Sequence, residues 1–273
     1  MVADKLRNLF KDALKCYQQD NGSDFSNQMA VLLRQTNLSI GKEELMKFVL
    51  NNPNSNYQTF DPWSFGHPSI TIFSDDNLCL DLNFWRDESI TIHDHNFKGA
   101  FQILSGSIKN IEFNFKETSN RNDFVGFGEL SITKQEFLSQ NEVRPIPDST
   151  KNDGHLIRHT ETPTINLVIR EKWPTDNFLN IFFYPGMRFR HDKGFRDKLI
   201  KKLQILTYFE DPSIEMKSID STELMGMYIY RKFAENKNIV THLQQEISLR
   251  PNGEDFISHI NRHQLFMQKI LIS

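Results

Sequence analysis

The 273-residue sequence predicts a mainly β protein, an antiparallel barrel or jelly roll with α-helical N- and C-terminal extensions. Two observations carry that expectation. Apolar residues recur at helical spacing over the first fifty-odd positions, at a spacing of two from about Ser69, and at helical spacing again after Tyr184-Pro185-Gly186. The β-type stretches are short, closely and evenly spaced, and separated by turn residues, which favours antiparallel neighbours over alternating β/α units. The plan divides the chain into a helical extension packing on the barrel (1–57), the barrel (58–186) and a helical region (187–273).

Leu6, Leu9, Phe10, Ala13, Leu14 and Tyr17 form one apolar stripe and predict the first helix, which Asn21-Gly22 ends. Further short helices are expected over Phe25 to Arg34 and Lys42 to Leu50, before the breaker cluster Asn51 to Asn56. Strands are expected around Ile70/Ile72, Leu78 to Phe84, Ile90/Ile92, Phe101/Ile103, Ile108 to Phe115, Glu129 to Thr133, Ile165 to Arg170 and Asn177 to Phe183. Gly106 is expected in the turn joining two of them, where a positive φ is often needed. Helical spacing resumes over Asp192 to Phe209, Glu223 to Phe233, Ile239 to Ile247 and Glu254 to Ile270.

Composition narrows the function classes. With a formal net charge of -3 and no Lys/Arg-rich run, a nucleic-acid partner is disfavoured. Cys16 and Cys79 do not make a disulfide framework and suggest a reducing compartment. No apolar run reaches the length of a membrane span, and the N-terminal stretch is polar and amphipathic; the expectation is a cytoplasmic protein.

The chemistry-bearing stretch is Ser89-Ile-Thr-Ile-His93-Asp94-His95, followed by Gly99 and a strand running to Gly106. Alternation puts Thr91, His93 and His95 on one strand face. Two imidazoles two residues apart lie ~6–7 Å from each other along a strand, a workable bite for one divalent ion. A bare His-x-His is also compatible with two strand histidines satisfied by hydrogen bonds, so a third ligand decides the matter. The candidate lies in Asp153-Gly154-His155-Leu-Ile-Arg-His159, ahead of the strongly β-prone Ile165 to Arg170.

Together these two segments, within residues 69–171, resemble the cupin superfamily. The first matches its His-x-His pattern and closing glycine strand. The second loosely matches its Gly-x-x-His-x-x-x-Asn pattern, with His155 at the ligand position and His159 where Asn usually stands. The Ser-Ile-Thr-Ile-His-Asp-His run looks most like the thiol dioxygenases typified by cysteine dioxygenase. The resemblance implies a metal held by His93, His95 and His155.

Departures from that subgroup limit the likeness. The position where many cupins carry a glutamate ligand, and some thiol dioxygenases a cross-linked cysteine, falls on Gly99. The subgroup's Ser-x-His-x-Tyr strand corresponds to Asn166, Val168 and Arg170, and its substrate-binding arginine has no counterpart near Ile70 to Phe73. Arg170 is therefore a candidate to hold a substrate carboxylate, against the reading of a solvated strand-end arginine. His159 is an alternative ligand or a hydrogen-bonding neighbour of the ligands. Gln102, on the face of Ala100 and Leu104, is a candidate to reach the pocket. Asp94 is expected to point outward, Arg86 is a weaker alternative anion anchor, and Arg188 to His191 reads as a solvated helix entry. His67, His242, His259 and His263 read as structural.

Imidazole ligands suit iron, zinc, nickel and copper alike. The resemblance favours Fe(II), and with it an oxygenase or oxidase using O₂ on a small polar substrate, thiol- or carboxylate-bearing. Two other readings stay open: a cupin serving as a sensing or binding module, its helices offering a homodimer or partner surface, and a Zn- or Ni-dependent isomerase or hydrolase.

Overall fold

The computed structural model describes residues 2–20, 24–36, 38, 40–51, 56–57, 68–85, 91–95, 97–120, 122–146, 153–172, 178–209, 211–231 and 238–272. In chain order the elements are α1 (Val2–Asp20), α2 (Phe25–Thr36), α3 (Lys42–Asn51), β1 (Asn56–Tyr57), β2 (Ser69–Ser74), β3 (Leu78–Trp85), β4 (Ile92–His93), β5 (Gly99–Asn120), β6 (Val125–Leu138), β7 (Val143–Ile146), β8 (Asp153–Glu171), β9 (Leu179–Phe183), β10 (Met187–His191), α4 (Lys193–Leu206), α5 (Ser213–Lys217), α6 (Ser221–Ile229), α7 (Asn238–Ser248) and α8 (Gly253–Ile272). His67, Arg86, Ser89 and Ile90 lie outside the described residues. No helix among the described residues is long and apolar enough to cross a membrane.

The chain forms two compact units. The first comprises Met1–Ile90, His95–Glu112 and Ile132–Thr175. Its strands run β1-β2-β3-β8-β5-β7, and the pairs with determined register are antiparallel. In the β3–β8 ladder Leu80 faces Ile169, Leu82 faces Leu167 and Phe84 faces Ile165. These residues share one core with Leu6, Leu9, Phe10 and Ala13 of α1, Met29 and Leu33 of α2, and Leu45 and Val49 of α3. The helical spacing seen in the sequence is thus the spacing needed to cover that sheet face, each fully buried Leu contributing about 1.5–3 kcal/mol.

The other face of the same ladder is polar. Asp81 stands opposite Val168, Asn83 opposite Asn166 and Cys79 opposite Arg170. Val168 belongs to a second core with Phe97, Phe101, Ile103, Ile108, Leu138 and Ile146, on which Ile157 packs.

The second unit comprises Thr91–Asp94, Phe113–Ser131 and Asp176–Ser273. Its strands run β4-β9-β10-β6, with Ile92 opposite Phe182, His93 opposite Ile181 and Met187 opposite Phe127. Asp192 caps α4 by accepting a hydrogen bond from the Phe195 N–H, and Asp220 caps α6 in the same way at Thr222 and Glu223. Gly226 lets α6 press on Leu199 of α4 and Phe189 of β10, where a Cβ would overlap the leucine side chain.

Several elements differ from the sequence reading. Phe101 to Phe115 is one continuous strand, and Gly106, at φ +81°, lies inside it where a turn was expected. The alternation slips by one residue across this glycine, since Phe101, Ile103 and Ile108 all reach the same core. The strand expected at Ile90/Ile92 is described only as the two residues of β4. β7 went unpredicted because Pro145 hides its pattern; it pairs with β5 and ends the strand order, where a proline costs no ladder bond. Arg188 to His191, expected as a helix entry, is strand β10. Its arginines alternate with Met187, Phe189 and His191, which are all buried.

Candidate metal centre

The first unit brings His95 and His155 together. His95 follows β4 and packs its ring on Phe97 at 5.0 Å between centroids. His155 stands near the start of β8. Their Nε2 atoms are 2.6 Å apart, with the rings inclined at 67°. His93 precedes His95 by two residues on the same stretch of chain, and one ligand atom from each of His93, His95 and His155 falls within 4.8 Å of the others. All three side chains are half-buried.

The donor set fits a divalent ion. The His93 Nδ1 lies 3.1 Å from the Thr91 carbonyl oxygen, which can only accept, so Nδ1 carries the proton and Nε2 keeps its lone pair. Burial lowers the His93 pKa against the smaller upward pull of that carbonyl, which favours the neutral, ligating form. The His155 Nδ1 lies 3.1 Å from the Asn110 Oδ1, the same arrangement with a side-chain acceptor.

The residues around the ligands hold them in place. Asp94, expected to point outward, is only 2% exposed. Its Oδ1 accepts from the Asn180 backbone N–H at 2.8 Å and its Oδ2 from Asn180 Nδ2 at 2.5 Å, while its own N–H donates to the Asn180 carbonyl. Burial pushes the Asp94 pKa up to about 6, the Asn180 bonds working against it. Asp94 thus ties the histidine segment to β9. Its inward direction follows from its place in the chain: it stands just past the last β4 residue, where its N–H continues the bonding to β9.

The remaining candidates are placed as follows. Gln102 faces Val143 in the β5–β7 ladder, between Ala100 and Leu104, which belong to the core under α1–α3. His159 is 4% exposed and stacks on Trp85 at 4.8 Å, with neither ring nitrogen hydrogen-bonded; burial lowers its pKa to about 4. It is not one of the clustered histidines. The Arg170 Nε donates to Asp81 Oδ2 at 2.7 Å, its NH1 donates to the Glu171 carbonyl, and its guanidinium lies 5.4 Å from the Phe97 ring centroid. Gly99 approaches β8 so closely that a Cβ would stand 2.2 Å from the Ile169 carbonyl oxygen. No glutamate or cysteine fits there without moving the backbone, so the strand packing itself requires the glycine.

Asn110 escaped the sequence reading. Its signal was a break in period: apolar residues fall at Ile108 and then Ile111, Phe113 and Phe115, a step of three that leaves a buried asparagine inside β5.

No protein-family description matches the chain, and no curated relative matches it. Among solved structures it is similar to KdgF from Halomonas sp., with a TM-score of 0.30 and 11% identity over 44% of this chain and 91% of that one. It is also similar to a sugar phosphate isomerase of the cupin superfamily from Silicibacter pomeroyi, with a TM-score of 0.29 and 13% identity over 46% and 76% of the two chains. A third is hydroquinone 1,2-dioxygenase from Sphingomonas sp. TTNP3, with a TM-score of 0.30 and 10% identity over 38% of this chain and 65% of that one. At such scores the class of the chain rests on its own strands and histidines.

Proposed function

We propose that this chain is a cupin-type metal protein in which His93, His95 and His155 hold one divalent ion. The convergence of one ligand atom from each of the three within 4.8 Å carries the reading. The Thr91 carbonyl and the Asn110 amide support it by holding the ring proton of His93 and His155 on Nδ1. We further propose Fe(II) as the ion and oxidation of a small organic molecule by O₂ as the reaction. Three neutral imidazoles on Fe(II) leave up to three positions for substrate and O₂, which is the chemistry the ion supplies.

The chain's own residues orient and select. Asp94 and Asn180 fix the segment bearing His93 and His95. Phe97 covers one side of His95 with an apolar ring. Arg170 is neutralised by Asp81, and this favours an uncharged substrate over a carboxylate. His159, neutral and stacked on Trp85, gives a flat polar wall on the strand that bears His155.

Anaerobic purification followed by elemental analysis and O₂-uptake measurements tests this. The expected result is about one iron per chain and uptake that depends on an added neutral organic substrate. An iron-loaded chain that stays silent across thiols, amino acids, keto acids and phenols contradicts the oxygenase reading. Turnover that persists without O₂ contradicts it as well.

A further inference from the structure

We infer that Asn110 and Glu136 are positioning residues that set the tautomer of His155, an inference that rests on the three-histidine reading above. The Asn110 Nδ2 lies 3.4 Å from Glu112 Oε1 and 3.3 Å from Glu136 Oε1. Carboxylates only accept hydrogen bonds, so the amide nitrogen faces them and the amide oxygen faces the other way. That oxygen is the atom 3.1 Å from His155 Nδ1. It too can only accept, so the imidazole proton sits on Nδ1. Nε2 is left with its lone pair at the point where it meets His95.

Glu136 is the anchor of this chain of bonds. Its side chain is 15% exposed against 43% for Glu112, so its hydrogen bond is the less screened of the two. Arg144 Nε donates to Glu136 Oε2 at 2.9 Å, and Lys134 Nζ lies 3.0 Å from Oε1. Burial works to raise the Glu136 pKa, but the bonds from Lys134 and Arg144 outweigh it and hold the carboxyl below its usual value. An ionised Glu136 cannot donate back to Asn110, so the direction of every bond from Glu136 through Asn110 to His155 is determined. Without that chain a neutral imidazole is free to carry its proton on Nε2, where it blocks coordination.

Two readouts test the inference: ring ¹⁵N shifts of metal-free protein, with His155 assigned by comparison with His155→Gln, and Co²⁺ titration. In the wild type the shifts are expected to show Nδ1–H at His155. Asn110→Leu keeps the branched shape and removes the acceptor; it is expected to move His155 toward Nε2–H and weaken Co²⁺ binding by about 10–100-fold. Asn110→Asp keeps an acceptor toward His155 but loses the amide donors to Glu112 and Glu136; it is expected to retain the Nδ1–H tautomer. An unchanged Nδ1–H tautomer in folded Asn110→Leu overturns the inference, as does an Nε2–H tautomer in folded Asn110→Asp. If Asn110→Leu fails to fold, Glu136→Leu, which offers Asn110 no acceptor, takes its place, and there an unchanged tautomer population overturns it. The nitrogen shifts need no ion, so a wild type that binds no Co²⁺ contradicts the metal reading alone.

Discussion

Arg170 and Asp81 form a buried ion pair across the β3–β8 ladder, Nε to Oδ2 at 2.7 Å, with 12% and 3% of their side chains exposed. Thr71 adds a hydroxyl donor to the same carboxylate at 2.7 Å. Removing one partner of such a pair leaves an uncompensated charge away from water. Arg170→Met is therefore expected to lower unfolding free energy by about 3–5 kcal/mol. Replacing both residues together with apolar ones is expected to cost much less. Urea unfolding of the three proteins checks this; a single variant within 1 kcal/mol of wild type, on the order of one exposed ion pair, contradicts it.

Much of the fold was legible in the chain because its amphipathic faces are regular. Leu6, Leu9, Phe10 and Ala13 marked α1, and Leu78, Leu80 and Leu82 marked β3, since each face meets one large apolar core. His93, His95 and His155 stood out by residue type and order alone. What surrounds them was hidden for physical reasons. Asp94 reads as a surface carboxylate until Asn180, 86 positions away, is placed beside it. Asn110 has no motif of its own, and the direction of its amide is set by Glu136 across the β5–β6 pair. Arg170 looks available until Asp81, on a strand 89 positions earlier, is seen to pair with it.

Gly99 makes a separate expectation. A side chain there meets the Ile169 carbonyl oxygen at 2.2 Å and the Arg170 Cα at 2.9 Å, both backbone atoms that cannot swing away. Gly99→Ala is expected to destabilise by about 1–3 kcal/mol. Gly99→Glu, intended to supply a fourth ligand, is expected to lose at least as much. Thermal melts of both variants read this, and a Gly99→Glu chain as stable as wild type contradicts it.

The Asp94–Asn180 clamp gives a third. Asp94→Ala strands the Asn180 N–H and Nδ2 donors without their acceptor in a buried place. The expected loss is about 1–3 kcal/mol for the unmet donors. Urea midpoints measure it, and an unshifted midpoint contradicts the clamp.

His159 and His191 each cost the fold stability in acid, against Asp94, whose raised pKa works the other way below about pH 6. Burial lowers their pKa values to about 4 and about 3, the charge of Arg196 adding to the effect at His191. Unfolded, both titrate near 6.5, so below that pH the unfolded chain takes up protons that the folded one refuses. Stability from this source is complete above pH 6.5 and falls as pH drops toward 4. For His159 alone the loss is on the order of 3 kcal/mol. His159→Leu is expected to flatten the unfolding profile between pH 6.5 and 4; an equally steep profile contradicts the buried neutral state.

Equilibrium dialysis of the wild type and of His155→Ala against a divalent ion, Fe²⁺ under anaerobic conditions or Zn²⁺, reads the three-histidine centre most directly. The expected result is one ion per wild-type chain and at least 100-fold weaker binding in a folded His155→Ala. A wild type that binds none, or a variant that binds as tightly, contradicts the centre.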